Sequence, residues 1–131
     1  MTLTIIIVSY NTKKLTLQTI DTAWKEAQSS PNLAKKTEII LVDNDSKDGT
    51  VDAVKKAFDS KNIKIIANKH NKGFASANNQ GIKIAQGKYI IQLNSDTIIQ
   101  KGGLAGMVKT FERLPIDIRT ADLATETNKI D

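Results

Sequence analysis

A chain of 131 residues, 40% hydrophobic and 25% charged, holds one domain with a real core. With no cysteine and a single histidine, His70, disulfides, zinc–thiolate sites and cysteine nucleophiles are excluded, and metal binding is left to oxygen ligands of hard ions such as Mg²⁺ or Mn²⁺. The net charge of +5 is carried by scattered lysines rather than a basic stripe interleaved with aromatics, which argues against nucleic acid and fits phosphates or an anionic membrane surface.

The first apolar run, Ile5–Val8, is β-branched throughout and reads as a buried strand. Leu17, Ile20, Trp24 and Ala27 follow at helical spacing, and Ser29–Lys36, with Pro31 and Asn32, reads as a loop. Ile39–Val42 is a second strand, Val51, Val54 and Phe58 mark a second helix, and Ile63–Ala67 is a third strand. Ala77, Gly81, Ile84 and Ala85 mark a third helix that Gly87 is placed to end. A fourth strand starts at Tyr89, and Leu104, Met107, Val108 and Phe111 mark a fourth helix. Past Leu114 the pattern weakens, so residues 1–114 read as the domain and 115–131 as a tail, frayed or with a short helix around Asp122–Thr127.

Strands alternating with helices imply an α/β fold: a Rossmann-like open, mainly parallel sheet with helices on both faces and right-handed crossovers. No apolar run approaches the roughly 20 residues of a membrane span. The amino terminus enters Thr4–Val8 without a signal-peptide layout, so a cytosolic chain, or one peripheral at the membrane, is expected.

All four apolar runs break into polar tips: TIIIVSYNT, EIILVDNDS, IKIIANKHN and YIIQLNSDT. A parallel sheet brings such tips to one rim, where open α/β sheets bind their ligands. Within Val42–Thr50, VDNDSKDGT, the stretch Ser46–Thr50 reads as a turn with Asp48 or Thr50 capping the next helix. Asp43, directly at a strand end, is placed to accept from a base N–H or a ribose hydroxyl. In Asn68–Gly81, NKHNKGFASANNQG, Lys72, Gly73 and the free N–H groups of a helix start favour a phosphate, although a capped helix packed tightly on the sheet reads equally well. The stretch is neither GxGxxG nor a Walker loop. In LNSDT, Asp96 can hold Mg²⁺ or Mn²⁺ against a diphosphate, or simply form an Asx-turn.

Together VSYNT, VDNDSKDGT, NKGFASANNQG and LNSDT, in this order over Thr4–Leu114, resemble the amino-terminal half of a family 2 glycosyltransferase, closest in style to rhamnosyltransferase-like enzymes of bacterial surface polysaccharides. The resemblance implies a truncated GT-A domain whose family transfers a sugar from a nucleotide diphosphate donor to a saccharide acceptor, with inversion. It implies that Ser9, Tyr10 and Asn11 line the nucleotide pocket and that Asp43, with Asn44, reads uracil or thymine. Lys72 and Gly73 would lie near nucleoside and diphosphate, and Asp96 with Asn94 would hold the metal. Asn94 stands where the family's Asp-x-Asp motif has its first acid. The family's acceptor half and general base have no counterpart in the chain, so no catalytic base is assigned.

Two other readings stay open. One is a non-catalytic nucleotide- or partner-binding module that self-associates through apolar surface left uncovered. The other is a small regulatory domain with a phospho-acceptor aspartate, which wants a lysine at the end of a fifth strand that the sequence does not offer.

Overall fold

The computed structural model describes residues 1–59 and 61–113; the expected tail, 115–131, lies outside them. The elements run β1 (Leu3–Ser9), α1 (Lys13–Ser29), β2 (Thr37–Asp43), α2 (Thr50–Ala57), β3 (Ile63–Ala67), α3 (Phe74–Ile84), β4 (Tyr89–Asn94) and α4 (Gly103–Arg113). All four strands pair in parallel, in the order β3-β2-β1-β4. The chain winds outward from β1 through β2 to β3, then crosses back to place β4 on the other side of β1. Between β1 and β4 the winding direction reverses, and this is where open sheets leave a crevice.

Side chains alternate across each strand, so the odd and even positions build two separate cores. Leu3, Ile5 and Ile7 of β1, with Ile39 and Leu41 of β2 and Ile91 and Leu93 of β4, pack under Ile20, Ala23 and Ala27 of α1, Val54 of α2, and Leu104 and Val108 of α4. Ile6, Val8, Ile40, Val42 and Ile90 face the other way, beside Ile66 of β3, and among the described residues the helix they meet is α3, through Ala77, Ile82 and Ala85 at its end. Among the described residues, three helices thus cover one face and one covers the other. Each fully buried Ile or Leu contributes about 1.5–3 kcal/mol, so the three-helix face carries most of the stability. Among the described residues, no helix is long and apolar enough to cross a membrane.

The strands start where expected to within two residues and run through to the polar tips. Gly87 differs from its expected role. The third helix ends at Ile84 with Ala85 as its cap, and Gly87 lies beyond it, against the start of β1. A Cβ there would stand 2.5 Å from the Thr4 nitrogen, so the glycine is needed for backbone approach rather than for helix termination. Beside it, Glu38 is wholly buried and accepts from the Thr4 hydroxyl at 2.8 Å and the Gln86 N–H at 2.7 Å, with the Lys64 ammonium 2.9 Å from its other oxygen. Burial pushes this carboxyl up, but the Gln86 N–H, Lys64 and Thr4 outweigh it and hold Glu38 below the usual glutamate range.

Candidate functional site

The register sets the site. Ser9 lies opposite Asp43 and Val8 lies opposite Asn94, so the polar tips of β1, β2 and β4 form one margin. A cleft of about 470 Å³ opens there, lined among others by Ser9, Tyr10, Asn44, Gly73, Asn94 and Asp96. Asp43 and Asp96 therefore stand on the same rim, two strands apart.

Asp43 occupies that rim differently from what its position suggests. Its side chain is only 2% exposed, and it does not line the cleft. Oδ1 accepts from the hydroxyls of Ser9 at 2.7 Å and Ser46 at 2.6 Å, while Oδ2 accepts the Ser46 N–H at 2.8 Å. Strand alternation explains it: Asp43 continues the odd positions Ile39 and Leu41, toward the loops that roof the three-helix side. Asp43 is thus a buried anchor for the β1–α1 and β2–α2 turns. Ser9 is buried with it.

Asn11 completes that anchor. It sits at φ +53, left-handed backbone that asparagine tolerates, and its N–H donates to Ser46 Oγ at 2.8 Å. Its side-chain oxygen accepts the Lys47 N–H at 2.7 Å. Asn11 thus fastens two turns and does not line the cleft, whereas Tyr10, next to it, is half exposed with its ring on the cleft wall.

Asn44 faces the other way from Asp43, into the cleft, although 3% exposed. Its Nδ2 donates to the Gly73 carbonyl at 3.2 Å, and its Oδ1 accepts from Asn68 Nδ2 at 3.0 Å and the Lys72 N–H at 3.4 Å. An amide has two N–H donors, and among the described residues only one of these has a partner. Asn68 is held in turn by reciprocal bonds with Gln80, at 2.8 and 2.9 Å, which tie the β3–α3 loop to its own helix.

The helix starts at this rim are not equivalent. Asp48 accepts the Lys13 N–H at the start of α1 at 2.9 Å and the Thr50 N–H at the start of α2 at 3.2 Å. The Thr50 hydroxyl, followed by the N–H groups of Lys13 and Thr50, outweighs partial burial and holds Asp48 below the usual carboxylate range. One ionised side chain therefore serves two helix ends. Among the described residues no side chain caps α3: Gly73 precedes it at φ +83, and the first N–H groups of the helix face the rim. Lys72 is exposed beside it, and its side chain does not line the cleft.

On the far wall, β4 ends in a turn closed by the Thr97 N–H donating to the Asn94 carbonyl at 3.2 Å. Asn94 and Asp96 are both exposed and line the cleft. Among the described residues no three His, Cys, Asp or Glu side chains cluster, so Asp96 is the lone cleft carboxylate with a free face. Thr12, Leu15 and the half-exposed Phe74 also line the cleft, and the sequence reading did not single them out. Their signal was available: Thr12 and Phe74 lie inside the motifs VSYNT and NKGFASANNQG, and Leu15 three residues past the first.

The sequence model of glycosyl transferase family 2 matches residues 4–124. This chain belongs to that family. It is 40% identical over 92 residues to the UDP-Glc:alpha-D-GlcNAc-diphosphoundecaprenol beta-1,3-glucosyltransferase WfaP of Escherichia coli, which covers 70% of this chain and 34% of that protein. The chain therefore spans about a third of the length of that relative. Two solved structures share the fold. The mannosyltransferase PcManGT from Pyrobaculum calidifontis, in complex with GDP-Man and Mn²⁺, superposes with a TM-score of 0.76 at 26% identity, over 86% of this chain and 32% of that one. TarS 1-349 of S. aureus, in complex with UDP-GlcNAc, gives 0.73 at 25%, over 86% and 31%. The four-stranded parallel sheet with its helices is thus a GT-A type arrangement, as the motif order implied.

Proposed function

We propose that the cleft binds the nucleoside diphosphate of a UDP- or dTDP-linked sugar together with one Mg²⁺ or Mn²⁺. The chain would then supply the donor-binding part of an inverting glycosyltransferase acting on a polysaccharide or lipid-linked acceptor. The observation that carries this reading is convergence. An aromatic wall at Tyr10, a free amide N–H on Asn44, an uncapped helix start after Gly73 and a free carboxylate on Asp96 all meet in one cleft.

Each group has a chemical task. Tyr10 offers a face for a pyrimidine ring, and the unused Asn44 N–H can donate to a ring carbonyl. Asp43, with Ser9, Asn11 and Ser46, holds these two residues in place. The α3 N–H groups and the Lys72 charge favour the diphosphate. Asp96 and the Asn94 amide oxygen give one charged and one neutral oxygen, a set that suits Mg²⁺ or Mn²⁺ when phosphate oxygens and water complete the shell. A metal bound there would neutralise charge on the departing diphosphate. The reading is supported by the relatives: a glucosyltransferase for UDP-Glc, TarS in complex with UDP-GlcNAc, and PcManGT in complex with GDP-Man and Mn²⁺.

Calorimetry with UDP, dTDP and GDP, each with and without Mn²⁺, tests it. The expected result is pyrimidine diphosphate binding that tightens with Mn²⁺, and loss of that increment in Asp96→Ala. Equal affinity with and without the metal refutes the role of Asp96. Absence of binding to every nucleotide refutes the donor site itself.

A further inference from the structure

The helix α1 carries threonines at 12, 16, 19 and 22 and a glutamate at 26, at its start and along one stripe of its length. Threonine is a poor helix former relative to alanine, and inside a helix its hydroxyl usually turns back to its own backbone. Here Thr22 does so, its Oγ1 donating to the Thr19 carbonyl at 3.2 Å, whereas the hydroxyls of Thr12 and Thr19 reach outward, to the loop between β4 and α4. Thr12 Oγ1 donates to Ser95 Oγ at 3.2 Å and lies 3.0 Å from Thr16 Oγ1. Thr19 Oγ1 donates to the Ser95 carbonyl at 2.8 Å. Farther along, the Ile99 N–H donates to Thr22 Oγ1 at 3.4 Å, and the Gly102 N–H donates to Glu26 at 2.9 Å.

Ser95 is the residue between Asn94 and Asp96, so both candidate metal ligands hang from a residue gripped at two points. Its hydroxyl is held by Thr12 and its carbonyl by Thr19. The carbonyl belongs to the peptide that joins Ser95 to Asp96, and the turn is closed by the Thr97 N–H on the Asn94 carbonyl. Among the described residues Asp96 has no hydrogen bond or ion pair of its own, so nothing but this turn sets its direction. Thr19 is wholly buried and does not line the cleft.

We infer that Thr19 is a positioning residue for the metal, acting through the Ser95 carbonyl to aim Asp96 and Asn94 into the cleft. This rests on the donor-site reading above. A carboxylate serves a metal only when held to within about half an ångström of the required place, and ordering it before binding lowers the cost of binding. The bond from Thr19 is the buried part of that support, and its removal frees the turn without deleting any side chain that lines the cleft.

The test is UDP binding to Thr19→Val and Thr19→Ser by calorimetry, with and without Mn²⁺, beside thermal melts. Valine keeps the volume and deletes the hydroxyl; serine keeps the hydroxyl. The expected result is that Thr19→Val loses about tenfold of the Mn²⁺-dependent tightening, the equivalent of one net hydrogen bond, while its metal-free affinity stays within about twofold of wild type. Thr19→Ser should retain the full increment. An unchanged increment in Thr19→Val overturns the inference, and so does an equal loss with and without metal, because that marks a general structural effect. If wild type itself shows no increment, the metal reading of Asp96 falls and takes this inference with it. That outcome is distinct from a failure confined to Thr19. Should Thr19→Val not fold, Thr19→Ala is read by the same ratio.

Discussion

Replacement of Glu38 by glutamine puts a definite stability cost on a group far from the cleft. The carboxylate accepts two short hydrogen bonds, from Thr4 and Gln86, and pairs with Lys64 on its second oxygen. The amide oxygen of Glu38→Gln can keep the first two, but as neutral bonds. Each such change from charged to neutral loses about 1 kcal/mol. On the other side the new NH₂ faces the Lys64 ammonium, donor against donor. Lys64 is more than a third exposed and can turn to water, which limits that part to about 1 kcal/mol. The sum is about 2–4 kcal/mol at pH 7, a large share of a domain's usual 5–15 kcal/mol. The pH dependence follows from the lowered carboxyl. Its stabilisation is complete above the unfolded value near 4.5 and is lost as pH falls through the lower folded value. Urea denaturation of wild type and Glu38→Gln at pH 7 and at about pH 3 should therefore show a gap that narrows in acid. A gap under about 0.5 kcal/mol at pH 7, or one of equal size at both pH values, would refute the reasoning.

Gly87→Ala should destabilise by about 3 kcal/mol, because the new Cβ meets Thr4 backbone that cannot move aside; a chemical-denaturation midpoint reads it. Asp43→Asn should cost about 1–3 kcal/mol, since the charge-assisted bonds become neutral and its NH₂ must either oppose the Ser46 N–H or force the Ser9 and Ser46 hydroxyls to turn and accept, and should weaken UDP binding with and without Mn²⁺ alike. Unchanged UDP affinity in a folded Asp43→Asn would count against its anchoring role. Tyr10→Ala should weaken UDP by roughly tenfold through lost stacking and leave the melting curve nearly unchanged, as the ring is half exposed.

The strands and helices were legible because each apolar run is flanked by turn formers, and the common rim followed from parallel winding. What stayed hidden was the direction in which rim residues point. Asp43 and Asn44 are adjacent, and only the parity of the strand, read from Ile39 and Leu41, separates an anchor from a cleft residue. The threonine stripe of α1 was overlooked for a related reason: the apolar stripe through Ile20 and Ala27 identifies the helix, and polar residues beside it pass as a solvated face. Glu38 looked like an ordinary strand start, since its partners Thr4, Lys64 and Gln86 are distant in the chain and meet only once the sheet forms. Gly87 was read as a helix stop because its neighbour across space, Thr4, lies at the other end of the sequence.

The placement of β1 between β2 and β4 has a consequence for the birth of the protein. Leu3 pairs with Thr37 on one side, but on the other it must wait for Tyr89. At ribosomal rates of about 5–20 residues per second, one flank of the first strand stays unzipped on the order of ten seconds. During that interval a β-branched ribbon is open to strand pairing with neighbouring nascent chains, the hazard that slow, long-range pairing brings. Synthesis speed over the whole stretch from β1 to β4 therefore sets how long that ribbon must be shielded.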